Sequence, residues 1–363
     1  MSRNEIPGLA KAKGTDHSGL PFVSVVMPVR NEAAFIERSV GSVLAQDYPR
    51  DRMEVLVADG SSQDGTAETV ASLQEKDGLV KLVNNPRKIV ATGLNAALRQ
   101  ARGEVIVRVD GHCEIATDYL SRCVSHLRND KVEAVGGPIE TIGESYVARV
   151  IATAMSSRFG VGSAFRVANS ATQFTDTVAF PAYTRAVIDR AGPFDEELVR
   201  NQDDEYNYRL RKLGVKILLA DDVRSRYYSR ATLPRLWRQY FQYGYWKVRV
   251  LQKHPRQMQM RQFMPPLLIA VLLATLVLLP LLSVAGYLLA ATVAVYSLAV
   301  LGAGVLAARK HGWKFMALLP IAFAILHLAY GSGFLIGLLK FWNRWGEADS
   351  KFPAPVTIGD RRA

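Results

Sequence analysis

The sequence predicts an α/β protein in which a doubly wound, mostly parallel sheet is followed by a C-terminal α-helical membrane region. Short β-branched segments alternate with helical patterns through the first two-thirds of the chain, and this alternation is typical of a parallel sheet. Two long segments of the last third, 263–308 and 315–339, contain no Asp, Glu, Lys or Arg. The chain is 49% hydrophobic and has two cysteines, which excludes a largely disordered protein and a disulfide-rich scaffold.

The predicted elements of the sheet follow one another at short intervals. Apolar, β-branched runs predict four strands, at Phe22–Val29, Met53–Ala58, Val80–Asn84 and Glu104–Val109. Apolar residues at helical spacing predict helices from Glu32 to Gln46, capped by Asn31, and around Ala91–Ala101. Polar clusters follow three of the strands, at Pro28–Glu32, Asp59–Thr66 and Asp110–His112. Because ligands bind beyond the carboxyl ends of parallel strands, we expect a ligand site where these clusters meet.

The net charge of +12 is concentrated in one part of the chain. Between Asp222 and Glu347 there is no acidic residue but there are fifteen basic ones, ten of them from Arg224 to Arg261. A basic block can indicate nucleic-acid binding, but the uncharged segments beside it favour a membrane surface instead. We therefore expect this block to lie against anionic lipid.

The uncharged segments are long enough to cross a membrane. A helix needs about 20 apolar residues to span a bilayer, so 263–308 accommodates two spans that turn near Pro280–Gly286. Basic residues before this segment and within 309–314 predict that both of its ends lie in the cytoplasm. The segment 315–339 is either a third span or a re-entrant segment broken at Gly331–Gly333.

The segment Leu233–His254 mixes aromatic with basic side chains. This composition predicts an amphipathic helix at the level of the lipid headgroups.

Four segments together resemble family 2 of the inverting glycosyltransferases, which have the GT-A fold. They are VSVVMPVRNE, VLVADGSSQDGT, VIVRVDGH and AGPFDEELVRNQDDEYNYRLRKLG, and the resemblance covers about Val23 to Lys253. In the membrane-bound glycosyltransferases of succinoglycan-type exopolysaccharide synthesis, RVDGH, NQDDE and a C-terminal set of membrane helices occur together, and this chain is similar to them.

The resemblance and the charge pattern imply a division of the chain into five parts. These are a polar N-terminal tail at 1–21, a GT-A glycosyltransferase domain at 22–232, a basic-aromatic interfacial helix region at 233–262, two or three transmembrane helices at 263–340 and a C-terminal tail at 341–363.

Transfer of a sugar from a nucleoside diphosphate requires that the nucleoside is held, that the charge of the diphosphate is neutralised and that the acceptor hydroxyl is deprotonated. Asp59 and Glu32, at two predicted strand ends, can accept hydrogen bonds from uracil N–H and ribose hydroxyls. The resemblance implies that Pro28 packs beside the base and that Asp59 contacts the uracil. Arg30 or Lys88 would approach the diphosphate.

Asp110-Gly111-His112 takes the place of the family's Asp-x-Asp metal motif. The resemblance implies that Asp110 holds a divalent metal, Mn²⁺ or Mg²⁺, and with it the nucleotide sugar, because phosphate and water supply the other ligands. His112 departs from the family pattern. It either joins the metal, where an imidazole suits Mn²⁺ better than Mg²⁺, or donates a hydrogen bond to the diphosphate.

The catalytic base is expected in the segment NQDDE. Anchoring the family pattern on Glu205 implies that Asp203 is the base and that Gln202 replaces the family glutamate, whose supporting role stays unassigned. A carboxylate can take the acceptor proton as the hydroxyl attacks. Asp204 is the alternative base if the register shifts by one residue. Acidic residues at a helix start can also simply complement the helix dipole.

Gln239 and Trp246 correspond, by resemblance, to a Gln and a Trp beneath the acceptor site of membrane-bound members. The alternative is that this helix is a plain interfacial anchor without substrate contact.

These expectations combine into a multi-pass inverting glycosyltransferase of a bacterial inner (plasma) membrane, with a cytoplasmic catalytic domain. By resemblance it would move a hexose, glucose, from a UDP-sugar to a polyprenyl-diphosphate-linked saccharide in exopolysaccharide synthesis. Its partners would be the UDP-sugar donor, the lipid-linked acceptor, membrane lipid and other polysaccharide-assembly proteins, and no nucleic acid. The alternatives are a polyprenyl-phosphate hexose synthase and a catalytically silent glycosyltransferase-like scaffold.

Overall fold

The structure, a computed structural model, describes residues 19–130, 132–166, 171–229 and 232–345. Most of the tails predicted at 1–21 and 341–363 lies outside the described residues.

Strands and helices alternate in the first part of the chain, and long helices follow. The strands are β1 (Val23–Val29), β2 (Met53–Asp59), β3 (Val80–Asn84), β4 (Val105–Arg108), β5 (Cys113–Ile115), β6 (Ala134–Gly137), β7 (Ile139–Ile142), β8 (Gln173–Thr175), β9 (Ala179–Thr184), β10 (Ile217–Leu219) and β11 (Ser225–Tyr228). The helices are α1 (Ile36–Leu44), α2 (Thr66–Lys76), α3 (Val90–Gln100), α4 (Tyr119–Asn129), α5 (Tyr146–Met155), α6 (Arg185–Ala191), α7 (Gln202–Lys212), α8 (Leu233–Lys253), α9 (Met264–Leu278), α10 (Ser283–His311) and α11 (Leu319–Lys340).

The main sheet has eight strands in the order β3-β2-β1-β4-β9-β6-β10-β8. Strands β3, β2, β1 and β4 are parallel neighbours, as are β6 and β10, whereas β9 runs antiparallel to both β4 and β6. Every residue of β1 and β2 is buried, as expected for strands with helices on both faces. The predicted mostly parallel sheet is confirmed, and so are the four predicted strands.

The first helix begins later than predicted. Asn31 adopts a left-handed conformation with φ of 54°, and α1 begins only at Ile36. The backbone N–H of Glu32 donates to Thr66 Oγ1 at 2.9 Å, and that of Ala33 donates to Asp64 at 3.0 Å. Because side chains after β2 already satisfy these N–H groups, the predicted helix start at Glu32 and the cap by Asn31 are wrong.

Three helices, spanning Met260–Leu278, Ser283–His311 and Leu319–Lys340, are long and apolar enough to cross a membrane. The chain turns between α9 and α10, as predicted from Pro280. Helix α11 runs unbroken through Gly331–Gly333, so the break that the re-entrant alternative required is wrong.

Helix α8, where the amphipathic helix was predicted, packs along α11. Glycines permit this close approach: a Cβ built on Gly244 would overlap the backbone of Tyr330, and one on Gly333 would overlap the Phe241 carbonyl. Helix α8 therefore joins the sheet domain to the apolar helix α11. The position of α8 at lipid headgroups stays a prediction.

Candidate active site

A single cavity of about 1610 Å³ connects the sheet edge with the apolar helices. At one end it is lined by loops that follow β1, β3 and β4. Its middle is lined by the start of α7 and by α8, and its far end by α9, α10 and α11. The cavity lies beyond the carboxyl ends of the parallel strands, where the sequence predicted a ligand site.

The loops after β1 and β2 are bonded to each other at the sheet edge. The Asn31 N–H donates to Ser62 Oγ at 2.9 Å, and Asn31 Oδ1 accepts from the Gln63 N–H at 2.9 Å. These bonds explain how Asn31 and Ser61 are held at positive φ. The loops are thus fixed by protein groups before any ligand is bound.

Most residues predicted to bind the nucleotide sugar line this end of the cavity. Pro28, Arg30, Glu32 and Lys88 belong to the lining, and Arg30 Nη1 donates to the Lys88 carbonyl at 3.4 Å. Two cationic residues therefore line the cavity where a diphosphate was expected.

Asp59 does not belong to the cavity lining. The residue is only 7% exposed, and its carboxylate accepts hydrogen bonds from Ser62 Oγ at 2.5 Å and from the Ser62 N–H at 3.0 Å. The carboxylate thus holds the turn after β2. Its contact with uracil stays a prediction.

Asp110 forms an ion pair that the sequence analysis missed. Arg108, the last residue of β4, donates from Nε to Asp110 Oδ1 at 3.0 Å. Burial would lower the pKa of Arg108, but the carboxylates of Asp110 and Asp203 outweigh it and hold the pKa above its usual range. Arg108 is therefore a fixed cation between the predicted metal ligand and the predicted base. The sequence signal for this ion pair was a charged residue at the end of an otherwise apolar strand.

His112 faces the cavity beside Glu32. Its Nδ1 lies 2.9 Å from Glu32 Oε1, so the carboxylate favours the tautomer that carries the proton on Nδ1 and the lone pair on Nε2. This is the usual arrangement of a metal-binding histidine, whose second nitrogen donates to a carboxylate. The pair gives Glu32 a role besides the predicted ribose contact.

The described residues contain no cluster of three or more His, Cys, Asp or Glu side chains that could hold a metal ion. Asp110 and His112 nevertheless both line the cavity, and a metal that also binds a diphosphate needs only one or two protein ligands. Carboxylate and imidazole are suitable donors for Mn²⁺. The residues present therefore fit a divalent metal held by Asp110 and His112.

The two candidate bases have different environments. Asp203 is surrounded by protein but exposed to the cavity that it lines. Burial raises the pKa of its carboxyl group, and the neighbouring Asp204 carboxylate raises it further. Asp204 instead accepts from Lys247 Nζ at 2.8 Å. Of the two, Asp203 has the environment of a general base, whereas Asp204 is held in an ion pair.

Two further polar residues at the start of α7 are buried. Glu205 accepts from Arg209 Nη2 at 2.7 Å and contacts His254 Nε2 at 3.1 Å. Burial would raise the pKa of Glu205, but His254 and Arg209 outweigh it and lower that pKa. Glu205 thus anchors the helix. Gln202 lines the cavity, is 5% exposed, and its Oε1 accepts no hydrogen bond from any described residue.

The two residues predicted on the acceptor side separate in the structure. Gln239 lines the cavity and donates from Nε2 to the Tyr243 hydroxyl at 3.0 Å. Trp246 is not among the lining residues, because it packs against Tyr245 and Phe341 with ring centroids 5.6 and 5.7 Å apart. The geometry brings Gln239 but not Trp246 to the cavity.

Part of the basic block faces the protein interior, contrary to the expectation that it lies against lipid. Arg249 donates from Nε to Glu197 at 2.8 Å, and Lys253 pairs with Asp195 and with Glu197. Burial would raise the pKa of Glu197, but Arg249 and Lys253 outweigh it and lower that pKa to about 2. Arg249 and Lys253 therefore hold the segment before α7 against α8, and Lys247 holds α7 itself.

The part of the cavity lined by the three long helices is mostly apolar, with Thr292, Tyr296, His327 and Tyr330 as its polar members. Its walls are contributed by α9, α10 and α11 and include Leu267, Leu268, Val271, Val295 and Leu326. Arginines line the cavity as well, among them Arg158, Arg166, Arg235 and Arg238.

Comparison with known proteins identifies the sheet domain. Residues 24–189 match Glycosyl transferase family 2. The succinoglycan biosynthesis protein ExoA of Rhizobium meliloti is 29% identical over 322 residues, which cover 88% of this chain and 96% of that protein. A dolichyl N-acetyl-alpha-D-glucosaminyl phosphate 3-beta-D-2,3-diacetamido-2,3-dideoxy-beta-D-glucuronosyltransferase of Methanococcus voltae is 28% identical over 64% of this chain and 74% of its own length.

A solved structure has the same fold. The mannosyltransferase PcManGT from Pyrobaculum calidifontis, solved in complex with GDP-Man and Mn2+, has a TM-score of 0.56 at 22% sequence identity. The match covers 86% of this chain and 87% of that one. Residues 24–189 are therefore a glycosyltransferase family 2 domain within a GT-A fold, and the protein is a glycosyltransferase.

Proposed function

We propose that this protein moves a hexose, glucose, from a UDP-sugar to a polyprenyl-diphosphate-linked saccharide in bacterial exopolysaccharide synthesis, with inversion at the anomeric carbon. One observation carries this proposal: the same cavity has the sheet-edge loops at one end and apolar helices at the other. A water-soluble donor suits the first end, and a lipid-linked acceptor suits the second.

On the donor side, Pro28 would pack beside the uracil, while Arg30 and Lys88 would neutralise the diphosphate. The support is that all three line one end of the cavity and that Arg30 contacts the Lys88 carbonyl. Asp59 would hold the turn beneath the base and contact its N–H.

Asp110 and His112 would hold Mn²⁺ or Mg²⁺, and Glu32 would orient His112. When bound, the metal would supply positive charge to the diphosphate as it leaves. The similar mannosyltransferase was solved with Mn2+. The Glu32–His112 pair is the independent support from this chain, because it leaves Nε2 as the donor atom.

Asp203 would act as the catalytic base. Its carboxylate would accept the proton of the acceptor hydroxyl as that oxygen attacks the anomeric carbon from the face opposite the diphosphate. The new carbon–oxygen bond forms while the bond to the diphosphate breaks, and UDP leaves with the electron pair. The raised pKa of Asp203 supports this role, since a stronger base accepts a proton more readily.

The acceptor would be linked to a polyprenyl lipid. The relatives named above act in succinoglycan biosynthesis and on a dolichyl-linked sugar phosphate, as their names state. Arginines of the cavity lining, including Arg235 and Arg238, would face the acceptor diphosphate. Three apolar helices would anchor the protein in the inner membrane, with the sheet domain in the cytoplasm.

The experiment is UDP release by the purified full-length protein in lipid nanodiscs, supplied with UDP-glucose, Mn²⁺ and a polyprenyl-diphosphate-linked saccharide extract. We expect acceptor-dependent release that Asp203→Asn and EDTA both abolish. Asp118→Asn serves as the control, because Asp118 pairs with Arg122 at the surface of α4. Absence of turnover with every nucleotide sugar, in well-inserted protein, would favour the silent scaffold instead.

A further inference from the structure

Carboxamide side chains are concentrated in the wall of the cavity between α7 and α8. Some of them are bonded to protein groups: Gln242 accepts from Arg200 Nε at 3.1 Å, and Asn207 donates to Thr177 Oγ1 at 2.7 Å. Three others, Gln202, Gln239 and Gln257, each have a buried Oε1 that accepts no hydrogen bond from any described residue. All three belong to the lining of the same cavity.

Unpaired buried carbonyl oxygens are unusual in folded proteins, and each requires an explanation. A buried acceptor without a partner destabilises the fold, whereas a bound donor group removes that cost. Gln202 presents the clearest case, because it is 5% exposed and stands directly before Asp203. Three such oxygens in the lining of one cavity indicate that a ligand with hydrogen-bond donors completes the site.

The chemistry of these oxygens distinguishes between possible ligands. A phosphate or diphosphate only accepts hydrogen bonds, so it cannot satisfy them, whereas arginines would bind it well. A sugar hydroxyl both donates and accepts, so it satisfies a carboxamide in either orientation of the amide group. With Oε1 in the positions that the structure gives, these amides pair with a saccharide hydroxyl, whereas the bare phosphate of a polyprenyl lipid would need each amide group turned to present its Nε2.

The position of the cluster distinguishes the acceptor from the donor. Gln239 lies on α8, and Gln257 follows α8 in the segment that leads to α9, so both belong to the helical side of the cavity. The predicted nucleotide contacts lie at the sheet edge. Gln202 stands next to the proposed base, which has to meet the acceptor hydroxyl.

We propose that Gln202, Gln239 and Gln257 form a subsite that binds the hydroxyls of the saccharide carried by the lipid acceptor. This inference rests on the proposed function and deepens it. It assigns a role to Gln202, the residue that replaces the family glutamate: a neutral amide that orients a sugar beside Asp203. It also selects a lipid-linked saccharide over polyprenyl phosphate as the acceptor.

The test compares three isosteric variants, Gln202→Met, Gln239→Met and Gln257→Met, with the wild-type protein in nanodiscs. We expect the KM for the lipid-linked saccharide to rise about three- to tenfold in each variant, as loss of one hydrogen bond predicts. The KM for UDP-glucose should stay unchanged. Polyprenyl phosphate without a saccharide should not serve as an acceptor.

The Tm measured without ligand separates the proposed binding role from a structural role, because the loss of a structural hydrogen bond would lower the Tm. The Gln202 and Gln257 variants remove an unsatisfied oxygen, so their Tm should be equal to or higher than that of the wild type, whereas Gln239→Met also removes the bond to the Tyr243 hydroxyl and is not used in this comparison. Gln252→Met is the matched control, because Gln252 is buried with both ends bonded: Nε2 donates to the Phe341 carbonyl at 2.6 Å and Oε1 accepts from Arg249. It should lower the Tm and leave the acceptor KM unchanged.

Several outcomes would overturn the subsite. An unchanged KM for the acceptor would mean that water fills these positions. A raised KM for UDP-glucose would mean that the three glutamines bind the donor sugar and not the acceptor saccharide. Equal turnover of polyprenyl phosphate in all proteins would contradict the acceptor class. If the wild type shows no turnover, the proposed function fails. The rise in Tm on adding the lipid-linked saccharide then decides the subsite, because it should be smaller in the Gln202 and Gln257 variants.

Discussion

The two ends of the cavity are built differently. At the sheet edge the polar side chains are bonded to one another: Asp59 to Ser62, and His112 to Glu32. On the helical side, Gln202 and Gln257 keep oxygens without a partner among the described residues. The sheet edge is thus preorganised by its own hydrogen bonds, whereas the helical side also keeps acceptors that a bound ligand would pair. This difference between the two ends fits a donor that many enzymes share and an acceptor that is specific to this enzyme.

The helical side also depends on pairs between residues far apart in sequence. Lys247 on α8 holds Asp204, 43 positions earlier, and Arg249 holds Glu197, 52 positions earlier. These pairs fix the start of α7, and with it the proposed base, against α8. Chemistry at the boundary of the two halves therefore depends on how the helices are attached.

The largest effect is expected at this boundary, from Asp203→Asn. The amide cannot accept the proton of the acceptor hydroxyl, so kcat should fall by about 10³-fold, within the range for loss of a general base. Steady-state UDP release measures this fall, and binding of UDP should be retained because the sheet edge is untouched.

Asp204→Asn is the informative comparison for this prediction, because Asp204 is held by Lys247. If Asp204→Asn lost as much kcat as Asp203→Asn, the assignment of the base would have to move by one residue.

A smaller effect is expected within the sheet edge, from Glu32→Gln. Removing the carboxylate that orients His112 should weaken Mn²⁺ binding in the presence of UDP about tenfold, as is typical when a partner of a metal-binding histidine is lost. Electron paramagnetic resonance of free Mn²⁺ measures the affinity directly. Glu37→Gln on α1 should leave it unchanged, and equal affinity in Glu32→Gln, His112→Ala and wild type would exclude a metal at His112.

The sheet edge was predictable from sequence because its information is local. Apolar runs predicted β1 to β4, and the polar residues after them predicted Pro28, Arg30, Glu32 and Asp110 at one site. The prediction that Asn31 caps a helix was wrong, because the competing hydrogen bonds come from a loop some thirty residues away.

The helical side was much less predictable. The basic block was expected to face lipid, yet Arg249 and Lys253 are paired with acids that stand more than fifty positions earlier. A charge pattern alone does not tell an exposed cation from a paired one. The strand β9, which runs antiparallel inside the sheet, and Arg108 between two carboxylates likewise depend on tertiary neighbours.

The next prediction concerns the pH dependence of kcat/KM. The charged and titratable groups that influence Asp203 are Asp204, Arg108, Asp110 and Tyr183, and Lys247 partly neutralises Asp204. Lys247→Met leaves the Asp204 charge less compensated, which raises the pKa of Asp203 further. Because the base acts only when deprotonated, activity should then be lost at a higher pH, by about one unit.

Asp204→Asn should move this acidic limb in the opposite direction, since it removes the carboxylate that raises the pKa of Asp203. The double variant should lie near the wild type. If the acidic limb moved in the same direction in both single variants, Lys247 and Asp204 would not act on Asp203 through their charges, and their role would be structural only.

The smallest effect on activity is expected from the packing of the helices themselves. Gly333→Ala would place a Cβ against the Phe241 carbonyl, so α8 and α11 would have to move apart. Overpacking of this kind costs about 1–3 kcal/mol, which is a few degrees in Tm for a chain of this size. Gly302→Ala on α10 is the matched control, because nothing lies within 4 Å of a Cβ there.

Below the unfolding transition, both variants should keep kcat within about twofold, because the hydrogen bonds and ion pairs between α7 and α8 remain in place. If Gly333→Ala lost turnover while remaining folded, the spacing of α8 and α11 would control the position of the base. The helical side would then be part of the catalytic machinery and not only the binding surface for the acceptor.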